Sequence, residues 1–84
     1  MFLHVTKVEY LRDYRLLLEF DDGTVREIDL YKELYGEVFE PLKNLDLFRQ
    51  VFVNSDTNTI EWPNGADFAP EYLRQLGAEV KNRA

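Results

Sequence analysis

The sequence predicts a single α+β domain: an antiparallel sheet of about five strands in two hairpin units, short helices packed on one face, and a C-terminal helix. Three observations carry this expectation. Apolar and polar residues alternate between Arg15 and Leu30, turn-forming residues cluster at Asp21-Asp22-Gly23 and at Ser55-Asp56-Thr57-Asn58, and Pro70 opens a stretch of helical spacing that runs to Gly77. Residues 1–84 leave room for one core and one domain. A chain of this size buries only about 60% of the surface its unfolded form exposes, so it depends on large apolar side chains. Six Phe, five Tyr and one Trp supply them.

The first hairpin is expected from runs His4 to Tyr10 and Arg15 to Asp21, joined by Leu11-Arg12-Asp13-Tyr14. In the second run Leu16, Leu18 and Phe20 alternate with Arg15, Glu19 and Asp21, the period of a strand with one buried face, although Leu17 interrupts the polar side. The next turn decides the register. A two-residue turn at Asp22-Gly23 sets Leu16 against the carboxylate of Asp29. A type I turn with Gly23 in the left-handed position of a bulge sets Phe20 against Thr24 and Leu16 against Ile28. The second arrangement is expected, because it brings Ile28 and Leu30 onto the face of Leu16, Leu18 and Phe20.

Beyond Leu30 the period changes. Tyr31 to Tyr35 suits about one helical turn ending at Gly36. Pro41 is expected to break the chain, after which Asn44 caps a short helix with Leu45, Phe48 and Val51 on its apolar side and Phe48 as the central anchor. Phe52 to Asn54 and Thr59 to Trp62 form the second hairpin, with Ile60 and Trp62 on one face. Pro63 ends that strand and Asn64-Gly65 turns the chain. Pro70 starts the last helix, with Glu71 near its positive end and Tyr72, Leu73 and Leu76 on its apolar side. Gly77 stops it, and Val80 to Ala84 is expected to fray.

Ten Lys and Arg against sixteen Asp and Glu give a net charge of −6. Such a surface is repelled by phosphate backbones, so no direct nucleic-acid partner is expected. The chain has no Cys, which excludes disulfides and thiolate metal sites and suits a reducing cytoplasm. Apolar runs such as Leu16-Leu17-Leu18 fall far short of the roughly 20 residues of a membrane span. A lone His4 in a strand and a lone Ser55 in a turn do not make a nucleophile with its base. No catalytic residue, metal site or cofactor is expected, and Asp21-Asp22-Gly23 reads as hairpin chemistry rather than a cation site.

The most unusual run is Trp62-Pro63-Asn64-Gly65-Ala66-Asp67. A buried Trp needs a partner for its indole N–H, and Asp67 stands near enough in sequence to supply it, or to cap the Pro70 helix. Alternatively Trp62, Asn64 and Asp67 form a partly exposed recognition patch. Tyr31 and Tyr35 could extend it, but aromatic residues at this spacing read as core.

Taken in order, Phe20-x-Asp22-Gly23, Ile28-Asp29-Leu30, Pro41-Leu42, Phe48, Ile60-x-Trp62-Pro63-Asn64-Gly65-x-Asp67 and Pro70-Glu71-x-Leu73 resemble the small bacterial domain of unknown function 2442. The resemblance spans nearly the whole chain, and its most specific part is the Trp-x-Asn-Gly-x-Asp stretch. It implies an α+β fold of the kind read above and supplies no catalytic residues. Some relatives carry a helix-turn-helix domain after this one, an appendage not expected within these 84 residues. Some are suggested to be antitoxin-like because of the small proteins encoded beside them.

The expected function is therefore a protein-protein interaction or accessory module, antitoxin-like by resemblance, whose acidic surface meets a basic partner through Trp62, Asn64 and Asp67. The alternative is a small-ligand-binding domain or enzyme with a carboxylate-lined pocket near Asp67, Asp29 and His4. Self-association through a sheet edge is compatible with the first.

Overall fold

The computed structural model describes residues 2–79. Three antiparallel strands, β1 (Val5–Arg12), β2 (Arg15–Phe20) and β3 (Val25–Asp29), form two successive hairpins. After α1 (Leu45–Phe48), strands β4 (Phe52–Asn54) and β5 (Thr59–Glu61) form a separate two-stranded sheet. The helix α2 (Pro70–Leu76) then leads into β6 (Ala78–Glu79), which pairs with β3 and completes a four-stranded sheet of order β1-β2-β3-β6. The α+β class, the two hairpin units and the C-terminal helix are as the sequence predicts. The strands divide between two sheets, and β6 was not anticipated. Among the described residues no helix is long and apolar enough to cross a membrane.

The register of β2 and β3 follows the bulged turn. Gly23 N–H donates to Phe20 O (3.0 Å), Phe20 N–H donates to Thr24 O (2.9 Å), and Gly23 has φ +88°. Leu16 therefore stands opposite Ile28. Asp22 locks the turn, its Oδ1 accepting from the Thr24 amide (3.0 Å) and hydroxyl (2.6 Å). The β1–β2 loop is tighter than expected. Leu11 and Arg12 remain in β1, and only Asp13-Tyr14 turn, because Asp13 adopts the left-handed region (φ +49°) that Asp tolerates.

One face of the large sheet is apolar, as the alternation requires. Leu16, Leu18, Phe20, Ile28 and Leu30 are buried with Val5, and Phe48, Leu42, Leu34, Ile60, Trp62, Ala66, Phe68 and Leu73 complete the cluster. Phe48 is its anchor. It is fully buried, edge-on to Tyr10 (6.1 Å between centroids) and Tyr14 (5.3 Å), and tilted against Trp62 (5.6 Å). On the opposite face Arg15 meets Glu27 (3.1 Å) and Asp29 (3.7 Å) across the β2–β3 pair.

The helical segments depart from the expected details for one reason: each is about one or two turns long and buries few positions. Tyr31–Glu33 is the expected single helical turn, in 3₁₀ form, with Asp29 Oδ1 accepting from the Tyr31 amide (3.0 Å). Pro41 does not break the chain but sits in the first turn of a second 3₁₀ helix, Glu40–Lys43, where its missing N–H costs nothing. Asn44 caps α1 as predicted, its Oδ1 accepting from the Asp46 amide (2.9 Å). Leu45, however, is exposed and Val51 only half-buried, since a four-residue helix cannot sustain a stripe. In α2 only Leu73 is buried, and Tyr72 and Leu76 face outward.

Gly77 ends α2 by a different mechanism from the left-handed cap. Its backbone is extended (φ −81°, ψ 150°), and a Cβ there would lie 2.7 Å from Arg26 Cβ and 2.8 Å from Ile28 Cγ1. Only a glycine lets the chain pass so close to β3 and pair β6 with it. Val80 to Ala84 lie outside the described residues.

Candidate functional site

Of the predicted patch, Trp62 is a core residue. It is 0% exposed, and its indole N–H donates to Phe48 O (2.9 Å), not to Asp67. Asp67 does not cap α2 either, whose N-terminal residue Ala69 makes no side-chain cap. Asn64 is exposed, yet both ends of its amide are engaged: Oδ1 accepts from the Ala66 amide (3.1 Å) and Nδ2 donates to Val38 O (3.0 Å). The turn it closes repeats the Asp22 turn. Gly65 N–H donates to Trp62 O, Trp62 N–H donates to Ala66 O, and Gly65 has φ +89°. That turn aims the chain back so that Asp67 bridges Glu61 and leaves its side chain exposed.

His4, Asp29 and Asp67 do not converge. His4 pairs with Asp21 (3.4 Å), Asp29 holds the Tyr31 amide and pairs with Arg15, and Asp67 stands beside a different depression. Among the described residues no three His, Asp or Glu side chains are grouped to hold a metal ion.

Two adjoining depressions flank α2. The larger, about 790 Å³, runs between the N-terminal segment, the Asp21-Asp22 turn and the outer side of α2. It holds charges of both signs, and Arg74 is paired with Asp22 across it. This contact and the two hydrogen bonds from Thr24 hold the Asp22 carboxyl below its ordinary pKa, with the Thr24 bonds the larger cause.

The second, about 460 Å³, is built from two distant stretches of chain: Glu33, Tyr35, Gly36 and Phe39 on one wall, and Asp67, Phe68, Ala69 and Tyr72 on the other. Its floor is aromatic. Phe39 and Phe68 stack (4.7 Å, 29°), Phe68 and Tyr72 lie nearly parallel (6.1 Å, 17°), and the Trp62 edge supports Phe68 from within (6.0 Å). Buried Thr59 fixes the Phe68 backbone by donating its hydroxyl to Phe68 O (2.6 Å). Tyr35 and Tyr72 rise from the groove 69% and 42% exposed, contrary to the core placement expected of Tyr35. Tyr31 is exposed as well, packed on Tyr14 beneath Lys43.

Carboxylates stand on both walls. Glu33 accepts the Tyr72 hydroxyl (2.5 Å), tying the two walls together and raising the Tyr72 pKa above 10.0, chiefly through that hydrogen bond. Asp67 has no hydrogen-bond or ion-pair partner among the described residues. The stretches 33–40 and 66–73 together carry Glu33, Glu37, Glu40, Asp67 and Glu71 and no Lys or Arg. An exposed aromatic surface flanked by Glu33 and Asp67, with no Lys or Arg in its lining, is suited chemically to an apolar stem that ends in a cation. Sequence reasoning reached Asp67 and weighed Tyr35. It missed Phe39, Phe68 and Tyr72, for which the paucity of cations in these two acidic stretches was the available signal.

No curated protein and no solved structure matches the chain. A family model described as protein of unknown function (DUF2442) matches residues 5–79. That match takes in both hairpin units, both walls of the aromatic groove and the β3–β6 closure, and the chain belongs to the DUF2442 family.

Proposed function

We propose that this domain is a cytoplasmic protein-protein interaction module, accessory or antitoxin-like in role, which docks a basic partner on the groove between residues 33–39 and 67–72. The observation that carries the reading is the exposure of Tyr35 and Tyr72 beside Glu33 and Asp67. Large aromatic rings left in water on a small domain are typical of interface anchors. A net charge of −6 speeds encounter with a positively charged protein and selects against acidic ones. Asn64 contributes indirectly, by tethering the turn before Asp67 to Val38 on the opposite wall.

The test is affinity capture from the native cell with the wild-type chain and with Tyr35→Ala and Asp67→Lys variants. The expected result is a basic protein retained by wild type, released by salt and lost by both variants. Retention of the same partners by all three proteins would remove the groove from consideration.

A further inference from the structure

The groove's own chemistry narrows what enters it. Resting on the reading above, we propose that it is an arginine slot: one arginine side chain of the partner lies along Phe39 and Phe68, with its guanidinium over the Tyr72 ring and between Glu33 and Asp67.

Three features favour arginine. The Phe39, Phe68 and Tyr72 rings form a ladder with interplanar angles of 29° and 17°, which ends at the half-exposed Tyr72 ring, where a further flat group can extend the stack. A planar guanidinium stacks on such a ring, whereas a lysine ammonium is a compact, strongly hydrated point charge that gains less from it. The two carboxylates lie on separate walls, so a fork of several N–H donors can serve both at once. Glu33 keeps acceptor capacity beyond the Tyr72 hydroxyl, and Asp67 is unpaired among the described residues.

Other occupants fit less well. A neutral apolar segment would cover Asp67 and strip water from a carboxylate while returning no partner charge. A divalent cation requires about six oxygen ligands, and no three acidic side chains are grouped here. A phosphate-bearing ligand meets Glu33 and Asp67 on the two walls and no base in the lining.

The experiment is isothermal titration of the whole chain with a short acetylated, amidated peptide carrying one arginine between two leucines. The arginine is then replaced in turn by lysine, citrulline and norleucine. The expected result is saturable one-to-one binding of the arginine peptide, several-fold weaker binding of the lysine peptide, and at least tenfold weaker binding of citrulline and norleucine. Affinity should fall between about 50 and about 300 mM salt, as it must for partly exposed charges. Asp67→Asn should weaken the arginine peptide at least fivefold without changing the melting temperature, since the side chain is exposed and unpaired. Absence of arginine-peptide binding, equal binding of citrulline, or indifference to Asp67→Asn would each overturn the slot. Reversible dimers in sedimentation that Asp67→Lys dissociates would also overturn it, by placing a second copy in the groove. If a captured protein partner depends on Tyr35 yet binds unchanged when its arginines are made lysines, the arginine assignment fails while the interaction-module reading stands.

Discussion

Replacing Gly77 by alanine probes the point where α2 returns to the large sheet. The added Cβ would lie 2.7 Å from Arg26 Cβ and 2.8 Å from Ile28 Cγ1, closer than carbon atoms approach without something moving. Neither neighbour yields easily, because one is the root of a side chain on a paired strand and the other belongs to buried Ile28. Overpacking of this kind costs about 1–3 kcal/mol. For a domain of this size each kcal/mol lowers the melting temperature by about 4–8 °C, so a fall of roughly 4–24 °C is expected in a circular dichroism melt. Gly65 supplies the control. It has φ +89° and open space around it, so alanine there suffers only backbone strain of about 1–2 kcal/mol, and asparagine, which tolerates that conformation, should restore most of the loss. At Gly77 asparagine should be no better than alanine, because space rather than backbone angle is limiting. A Gly77→Ala variant that melts like wild type, or a Gly77→Asn variant that recovers, would refute the close-approach argument.

Three further outcomes follow from the same contacts. Phe48→Ala should cost about 3–5 kcal/mol in urea unfolding, a large share of the roughly 5–15 kcal/mol typical of a domain, because Phe48 is fully buried among Tyr10, Tyr14 and Trp62. Asn64→Ala should lower stability by about 1–2 kcal/mol through loss of the bonds to the Ala66 amide and Val38 carbonyl, and a neutral result would show that these bonds are not held in solution. The Asp22 carboxyl has a folded pKa below its ordinary 3.8, so its contribution is present above that value and disappears as pH falls through the lowered one. The stability gap between wild type and Asp22→Asn should accordingly shrink between pH 5 and about pH 2. A gap constant over that range would contradict the role given to Thr24 and Arg74.

Much of the fold was legible because alternation leaves few choices. Once Leu16, Leu18, Phe20, Ile28 and Leu30 had to share a face, only the bulged turn at Gly23 satisfied them, and the structure adopts it. Phe48 was legible as the anchor because Asn44 caps a single turn that carries it inward. Strand β6 was not, since two residues have no period and Ala78-Glu79 are not strong strand formers. Pro41 misled for a related reason: proline stops a helix from its interior but is well placed in a first turn, and sequence alone does not say which applies.

The candidate site was harder to see than the core. Trp62 drew attention as the largest side chain in an unusual run, yet its neighbours make that run a turn whose product is the position of Asp67. Tyr35, Phe39, Phe68 and Tyr72 are spread over two stretches about thirty residues apart, and each resembles a core residue when read locally. What joins them is the Asn64 bond to Val38 and the Tyr72 bond to Glu33, both long-range and neither marked by a spacing rule.

A basic partner is proposed to seat on the wall-to-wall groove of residues 33–39 and 67–72. Nuclear magnetic resonance mapping of amide shifts, with the labelled chain titrated by its purified captured partner, tests it most directly. Docking on the groove should give the largest changes at Glu33 to Phe39 and Asp67 to Tyr72, with smaller ones at Asn64. Changes concentrated instead on the solvent face of the large sheet, around Lys7, Glu19 and Glu27, would contradict it.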